Sequence, residues 1–187
     1  ISASITRARG GLIPASGFSY AATLEGANDW LLSDASFFRL SGNARWLRSF
    51  GKHRLLQGLQ LGGIALYGST RLDDIPSSLR FFAGGDQSIR GYDYKSIAPR
   101  GSDNELSGGK YLAVTRSEYG YRFARSWRAA LFVDAGAAFN DANDKFYLGP
   151  GVGLHWLSPI GAVRFDIGVA ASEDQSIELH ISLGPEL

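Results

Sequence analysis

The chain has 187 residues, with 19 Lys+Arg against 18 Asp+Glu for a formal net charge of +1, 24 Gly, 6 Pro and no Cys. Near-neutrality without a clustered basic face argues against a nucleic-acid partner. The lack of cysteine removes disulfides, thiol catalysis and cysteine-metal sites, and no apolar run reaches the roughly 18 residues of a membrane-crossing helix. The length suffices for one domain with a sizeable core. Residues 1–7 show no charged stretch followed by an apolar one, so no signal peptide is expected there. With Met absent throughout, the chain reads as a fragment that begins inside a larger protein.

In chain order, the recurring period is two. Phe18, Tyr20, Ala22, Leu24 and Gly26 oppose Ser19, Thr23 and Glu25; Phe38, Leu40, Gly42, Ala44 and Trp46 oppose Arg39, Ser41, Asn43 and Arg45. Between His53 and Tyr67 the phase is ambiguous, because Leu55-Leu56 and Gly62-Gly63 blur it. About forty residues without sustained periodicity follow. Alternation resumes with Tyr111, Ala113, Thr115, Ser117, Tyr119, Tyr121 and Phe123 against Arg116, Glu118, Gly120 and Arg122. It continues with Trp127, Ala129, Leu131, Val133, Ala135, Ala137 and Phe139 against Arg128, Phe132, Asp134, Gly136 and Asn140. Then Val163, Phe165, Ile167, Val169 and Ala171 oppose Arg164, Asp166 and Gly168, and last Ile177, Leu179, Ile181 and Leu183 oppose Glu178, His180 and Ser182. Such alternation predicts strands with one apolar and one polar face, about eight or nine of them in an antiparallel meander.

Three features predict that the apolar face points outward to lipid rather than inward to a core. The strands run to about ten residues or more, as a tilted membrane strand needs, against the usual five or six in soluble sheets. Aromatic residues flank the apolar faces: Phe38 and Trp46, Trp127 and Phe139, Phe146 and Trp156. They match interfacial girdles. Finally, the apolar face is rich in Ala and Gly, which fill a closed core poorly but suit fluid lipid. The expectation is an all-β, antiparallel transmembrane β-barrel domain over 1–187, with its polar face lining a lumen.

The long connection, 68–109, is of a length that is usually functional or disordered. It contains Phe81-Phe82-Ala83-Gly84-Gly85-Asp86-Gln87-Ser88-Ile89-Arg90-Gly91-Tyr92. Gly84 and Gly85 permit a tight path at positive φ, and Arg90 stands between a β-branched residue and Gly91, close to Tyr92. By itself the tetrapeptide is equally an ordinary surface turn with a solvated arginine. The surrounding "FFAGGDQSIRGYDY", followed by several strands, resembles the barrel-assembly family that includes BamA, TamA and the two-partner secretion transporter FhaC. That resemblance implies an extracellular loop folded back into the lumen, its arginine meeting acidic and aromatic groups on the wall. The matching positions are Glu118 in "LAVTRSEYGYRF" and Phe132 and Asp134 in "LFVDAGAAF", and the alternation independently puts all three on the polar face. The closing "FYLGPGVGLHWLSPIGAVRFDIGVA…SIELHISLGPEL" is more similar to the TamA branch than to BamA. The resemblance then implies the second half of a sixteen-strand barrel, preceded by periplasmic POTRA repeats. Outer-membrane strands commonly end in an aromatic, and this chain does not.

An arginine in a lumen needs partners, and a guanidinium suits carboxylates and a ring face. Arg90 is therefore expected to pin the loop near Glu118, Phe132 and Asp134. The resemblance implies assembly of outer-membrane β-barrel clients through a weak seam, in which an exposed strand edge templates an incoming strand. The last strand, with Ile177, Leu179, Ile181 and Leu183, would form one side of it. Implied partners are outer-membrane lipid, autotransporter-type β-barrel clients and the periplasmic protein TamB, and the fragment is expected to close abnormally or to self-associate. A two-partner secretion transporter and a passive pore are the alternatives. Enzymatic readings are weak: His53, His155 and His180 lack metal-ligand spacing, Ser, His and Asp form no nucleophile elbow, and Gly149, Gly151 and Gly153 alternate within a strand, unlike a dinucleotide motif. No cofactor or metal is expected.

Overall fold

Period-two sequence becomes period-two structure when each strand has one neighbour to pair with on either side, and here the pairing follows chain order throughout. The computed structural model describes residues 1–9, 14–27, 35–159, 161–172 and 176–184; the chain's ending at 185–187 lies outside them. They form one antiparallel sheet of nine strands, each paired with the next in sequence. The strands are β1 (Ser2–Arg9), β2 (Ser16–Ala27), β3 (Phe37–Phe50), β4 (His53–Leu66), β5 (Tyr111–Ala124), β6 (Trp127–Phe139), β7 (Tyr147–Ser158), β8 (Gly161–Val169) and β9 (Ile177–Gly184). Four of them reach 13 or 14 residues. Short turns, as at Gly51-Lys52 between the paired Phe50 and His53, alternate with longer connections, the longest running from β4 to β5.

The faces are inverted relative to a soluble protein. Along β6, Arg128, Ala130, Phe132 and Asp134 are buried, whereas Ala129, Leu131 and Val133 are exposed. Leu131 is 60 % exposed and Leu40 57 %, while Asp134 is fully buried. Exposed apolar side chains recur on β2 through β9, a band far more extensive than a soluble monomer presents and suited to hydrocarbon. The phase left open over 53–67 is regular: β4 buries Arg54, Leu56 and Ile64 and exposes Leu59 and Leu61.

One expectation of the alternation is corrected. Ala137 was assigned to the lipid face with Leu131 and Ala135, but Ala137 and Ala138 are both buried. Pairing with β5 runs on unbroken through Gly136, whose missing side chain lets the β5 backbone at Ala113 come close, and it is the inner loop that covers Ala137. Ala137 packs with Val114 and loop residues Ala83, Ile89, Tyr92 and Ile97. Ala138 joins Phe37, Ile64, Ile75 and Phe81.

Both buried apolar clusters thus lie between the sheet and the 67–110 connection, which runs along the inner face. That connection contains two single-turn 3-10 helices and three isolated bridges, Phe81↔Gly109, Ala83↔Ile97 and Arg100↔Leu106. Its tip also measures the curvature. Asp86 pairs with His180 of β9, while the adjacent Gln87 accepts a bond from Arg45 of β3 at 2.6 Å. In a flat sheet, β3 and β9 would be about 29 Å apart, beyond the reach of two neighbouring residues. The sheet therefore curls around the loop, as an open wall of a barrel whose two edges are β1 and β9.

Candidate functional site

The tip of the loop is shaped by its glycines. Gly84 and Gly85 adopt φ of +99° and +94°, and the Gly85 N–H donates to the carbonyls of Ile89 (3.2 Å) and Tyr92 (3.0 Å). The Ser88 hydroxyl closes the turn by accepting from the Gly84 N–H at 3.2 Å. This fold-back presents Arg90 to the wall, where it is 1 % exposed.

Arg90 spends nearly all its donors on three strands. Against β6 its Nε and Nη2 form a fork with Asp134 at 2.7 and 3.0 Å, and its backbone N–H adds a bond to the same carboxylate at 3.1 Å. Nη1 donates to Glu118 of β5 and to Asp166 of β8, both at 2.9 Å. The guanidinium carbon lies 3.4 Å from the centre of the Phe132 ring, a cation–π stack. Burial alone disfavours the guanidinium charge. The Asp134 bond and the charges of Asp134, Glu118 and Asp166 outweigh it and raise the Arg90 pKa above its ordinary value. Arg116, 3.6 Å from Asp134, adds a further positive charge.

The flanking residues lock the same turn. The Tyr92 hydroxyl donates to the Leu148 carbonyl at 3.2 Å and accepts from the Ser172 N–H at 3.1 Å, and its ring meets Tyr147 edge-on at 5.5 Å. Gly91, at φ +95°, lies flush on the β8 backbone at Val169, and Gly168 opposite leaves the matching space. On β7, side chains at Gly149, Gly151 and Gly153 would collide with the Arg90 carbonyl, the Phe132 ring and the Asp166 carboxylate respectively. Small residues on the wall are what allow the loop backbone to reach it.

A family model, the Omp85 superfamily domain, matches residues 5–185. The chain belongs to the Omp85 superfamily. It is similar to the outer membrane protein assembly factor BamA of Nitratidesulfovibrio vulgaris, 31 % identical over 136 residues, covering 68 % of this chain and 17 % of that protein. Its similarity to BamA of Neisseria meningitidis serogroup B is 26 % over 171 residues, covering 71 % of this chain and 21 % of the relative. The chain thus spans about a fifth of the length of these relatives. Its fold matches the crystal structure of BamA from Haemophilus ducreyi lacking POTRA domains 1-3 with a TM-score of 0.76, at 19 % identity, over 96 % of this chain and 40 % of that one. Omp85 membership and the lipid-suited outer face locate the protein in the bacterial outer membrane.

Within this Omp85 wall, Arg90 brings Glu118, Phe132 and Asp134 together, with Gly84, Gly85, Gly91 and Tyr92 shaping the turn around it. Ile177, Leu179, Ile181 and Leu183 lie elsewhere: they point outward from β9, each at least 59 % exposed, so only the backbone of that strand offers an edge. Sequence reasoning missed three inner-wall partners. Asp166 takes an Arg90 bond, His155 sits 2.9 Å from Asp166, and His180 holds the Gly91 N–H at 2.9 Å. All three lie on the polar faces of β7, β8 and β9, but alternation does not say which polar residues share a height in the barrel.

Glu118, His155 and Asp166 bring three potential metal-ligand atoms within 4.8 Å of one another, although the spacing of the histidines in sequence signals no such group. Two of the three already bind Arg90 Nη1, so the guanidinium serves as the cation of this site while the loop is docked. Chemically the arrangement neutralises and holds: the Arg90 guanidinium bridges three buried carboxylates and stacks on a ring, with Arg116 beside Asp134 as a second cation.

Proposed function

We propose that this chain is barrel wall of a factor that assembles and inserts other outer-membrane β-barrel proteins, with Arg90 as the anchor that holds its inner loop against the wall. The observation that carries the reading is the buried Arg90 cluster, which ties one loop to β5, β6 and β8. A passive pore has no need of so firmly held an obstruction. Family membership and the names of the two similar BamA proteins support the assembly role. In this reading the backbone rim of β9 is one side of the seam where a client strand is templated by β-augmentation. The finer reading is TamA-like, with autotransporter clients and TamB as periplasmic partner, and rests on the closing motif from Phe146 to Leu187.

The test is client assembly in cells carrying the full-length parent with Arg90→Ala, with membrane level and heat-modifiable folding of the variant as control. The expected result is a folded barrel at normal level and an autotransporter client that no longer reaches the surface. Normal client assembly by that variant would remove Arg90 from the assembly mechanism and raise the passive-barrel reading.

A further inference from the structure

Among the described residues the edge strand β9 pairs with β8 alone, over Ala162–Val169, and its inward side chains are Glu178, His180 and Ser182. His180 reaches across to the loop tip with both ring nitrogens. Nε2 accepts the Gly91 backbone N–H at 2.9 Å, and Nδ1 meets the Asp86 carboxylate. An N–H donor on one side and a carboxylate on the other define the tautomer: Nε2 bare, Nδ1 carrying the proton that it donates to Asp86. His180 is only 10 % exposed in its side chain, whereas Asp86 is 43 % exposed.

The approach that makes this bond possible is built from both the loop and β8. Gly91 has the positive φ of +95°, a side chain there would strike the Val169 backbone, and one on Gly168 would strike Gly91. Next in sequence, Arg90 is bonded to Asp134, Glu118 and Asp166. Two consecutive loop residues therefore connect β5, β6 and β8 to the edge strand, and the His180 ring makes the last step.

We infer that His180 is a positioning residue through which the docked loop tip, by Gly91 and Asp86, holds the β9 edge against the barrel wall. The bearing of this link on client assembly rests on the seam reading above; the link itself does not. With His180 bonded, β9 cannot splay from β8 without pulling on a turn that Arg90 anchors. With it broken, the edge keeps its ladder of backbone bonds to β8 but loses this tie to the loop.

The experiment is hydrogen–deuterium exchange on the full-length protein in outer-membrane-lipid vesicles, comparing wild type with His180→Ala, His180→Gln and Asp86→Ala. Losing one hydrogen bond corresponds to about fivefold faster local opening. We expect about that acceleration for the amides of 177–184 in Asp86→Ala, which removes one of the two His180 bonds. A larger one is expected in His180→Ala, which removes both, and recovery in His180→Gln, whose amide offers both an acceptor and a donor. Asp86 is on the loop and not on β9, so a purely intra-strand role of His180 would leave β9 unmoved by Asp86→Ala. Should His180→Ala fail to fold, the Asp86→Ala and His180→Gln pair carries the test. Wild-type exchange in β9 for both alanine variants overturns the link, as does acceleration in His180→Ala alone without rescue by glutamine. Client assembly in the same strains separates the two readings. A loosened β9 with normal assembly leaves the link standing and sinks the seam, whereas unchanged β9 exchange sinks the link whatever the clients do.

Discussion

β1 and β9 are both eight-residue edge strands, each paired with a single neighbour over eight positions, yet they live in different surroundings. Every residue of β1 is exposed on both faces, and its described side-chain contact is a 3.2 Å bond between the exposed Ser2 and Thr23 hydroxyls. β9 exposes its outer apolar residues but presents its inner ones to the loop tip, where His180 is bonded. Ladder length is therefore not what distinguishes the two edges. A strand in a membrane wall satisfies its outer side chains with lipid, and its inner ones need water or a filler. The 67–110 loop supplies that filler for the β3–β9 side of the sheet. The difference teaches that the loop acts as a core, packed inside the barrel where a soluble protein would put its own apolar face.

The comparison breaks most decisively at Arg90. Replacing it with Ala leaves Asp134, Glu118 and Asp166 buried together without the cation that bridges them, Arg116 remaining beside Asp134 alone, and should cost the docked state about 3–5 kcal/mol. Limited proteolysis should then cleave within 81–92, with β1 amide exchange unaltered; an uncleaved loop would mean that its apolar packing alone holds it. Next in size is Gly149→Ala, whose new methyl collides with the Arg90 carbonyl. Overpacking of this kind costs about 1–3 kcal/mol, read as a lowered midpoint in heat-modifiability gels, and a wild-type midpoint would show that the loop backbone can yield. The smallest effect belongs to Thr23→Ala on the β1 side, which removes an exposed hydroxyl pair and should change stability by under about 0.5 kcal/mol. A larger loss there would make β1 as dependent on its neighbours as β9 is.

Much of the fold was legible because a strand's two faces meet different solvents. The runs around Leu131 and Ile181 show the period directly, and Leu40 or Leu131 facing outward follows once strand length and aromatic flanks point to lipid. Legibility failed at Ala137, which alternation puts on the lipid face and which the docked loop buries. Within the site, Glu118, Phe132 and Asp134 could be named because motif resemblance and alternation coincided on them. Asp166, 76 residues from Arg90, and His180, 94 residues from Asp86, had only the polarity of their strands to mark them.

The amino-acid sequence by itself determined that this protein is a wall of antiparallel strands with apolar outer faces, and that an arginine-bearing loop interrupts it, since both are local patterns of side-chain type. Only the tertiary structure decided which inner residues meet. Strand register and sheet curvature set the height of each side chain, and these depend on backbone pairing summed over nine strands. That is why Arg90 finds Asp166 as readily as Asp134, and why the last strand is tied to the loop through one histidine.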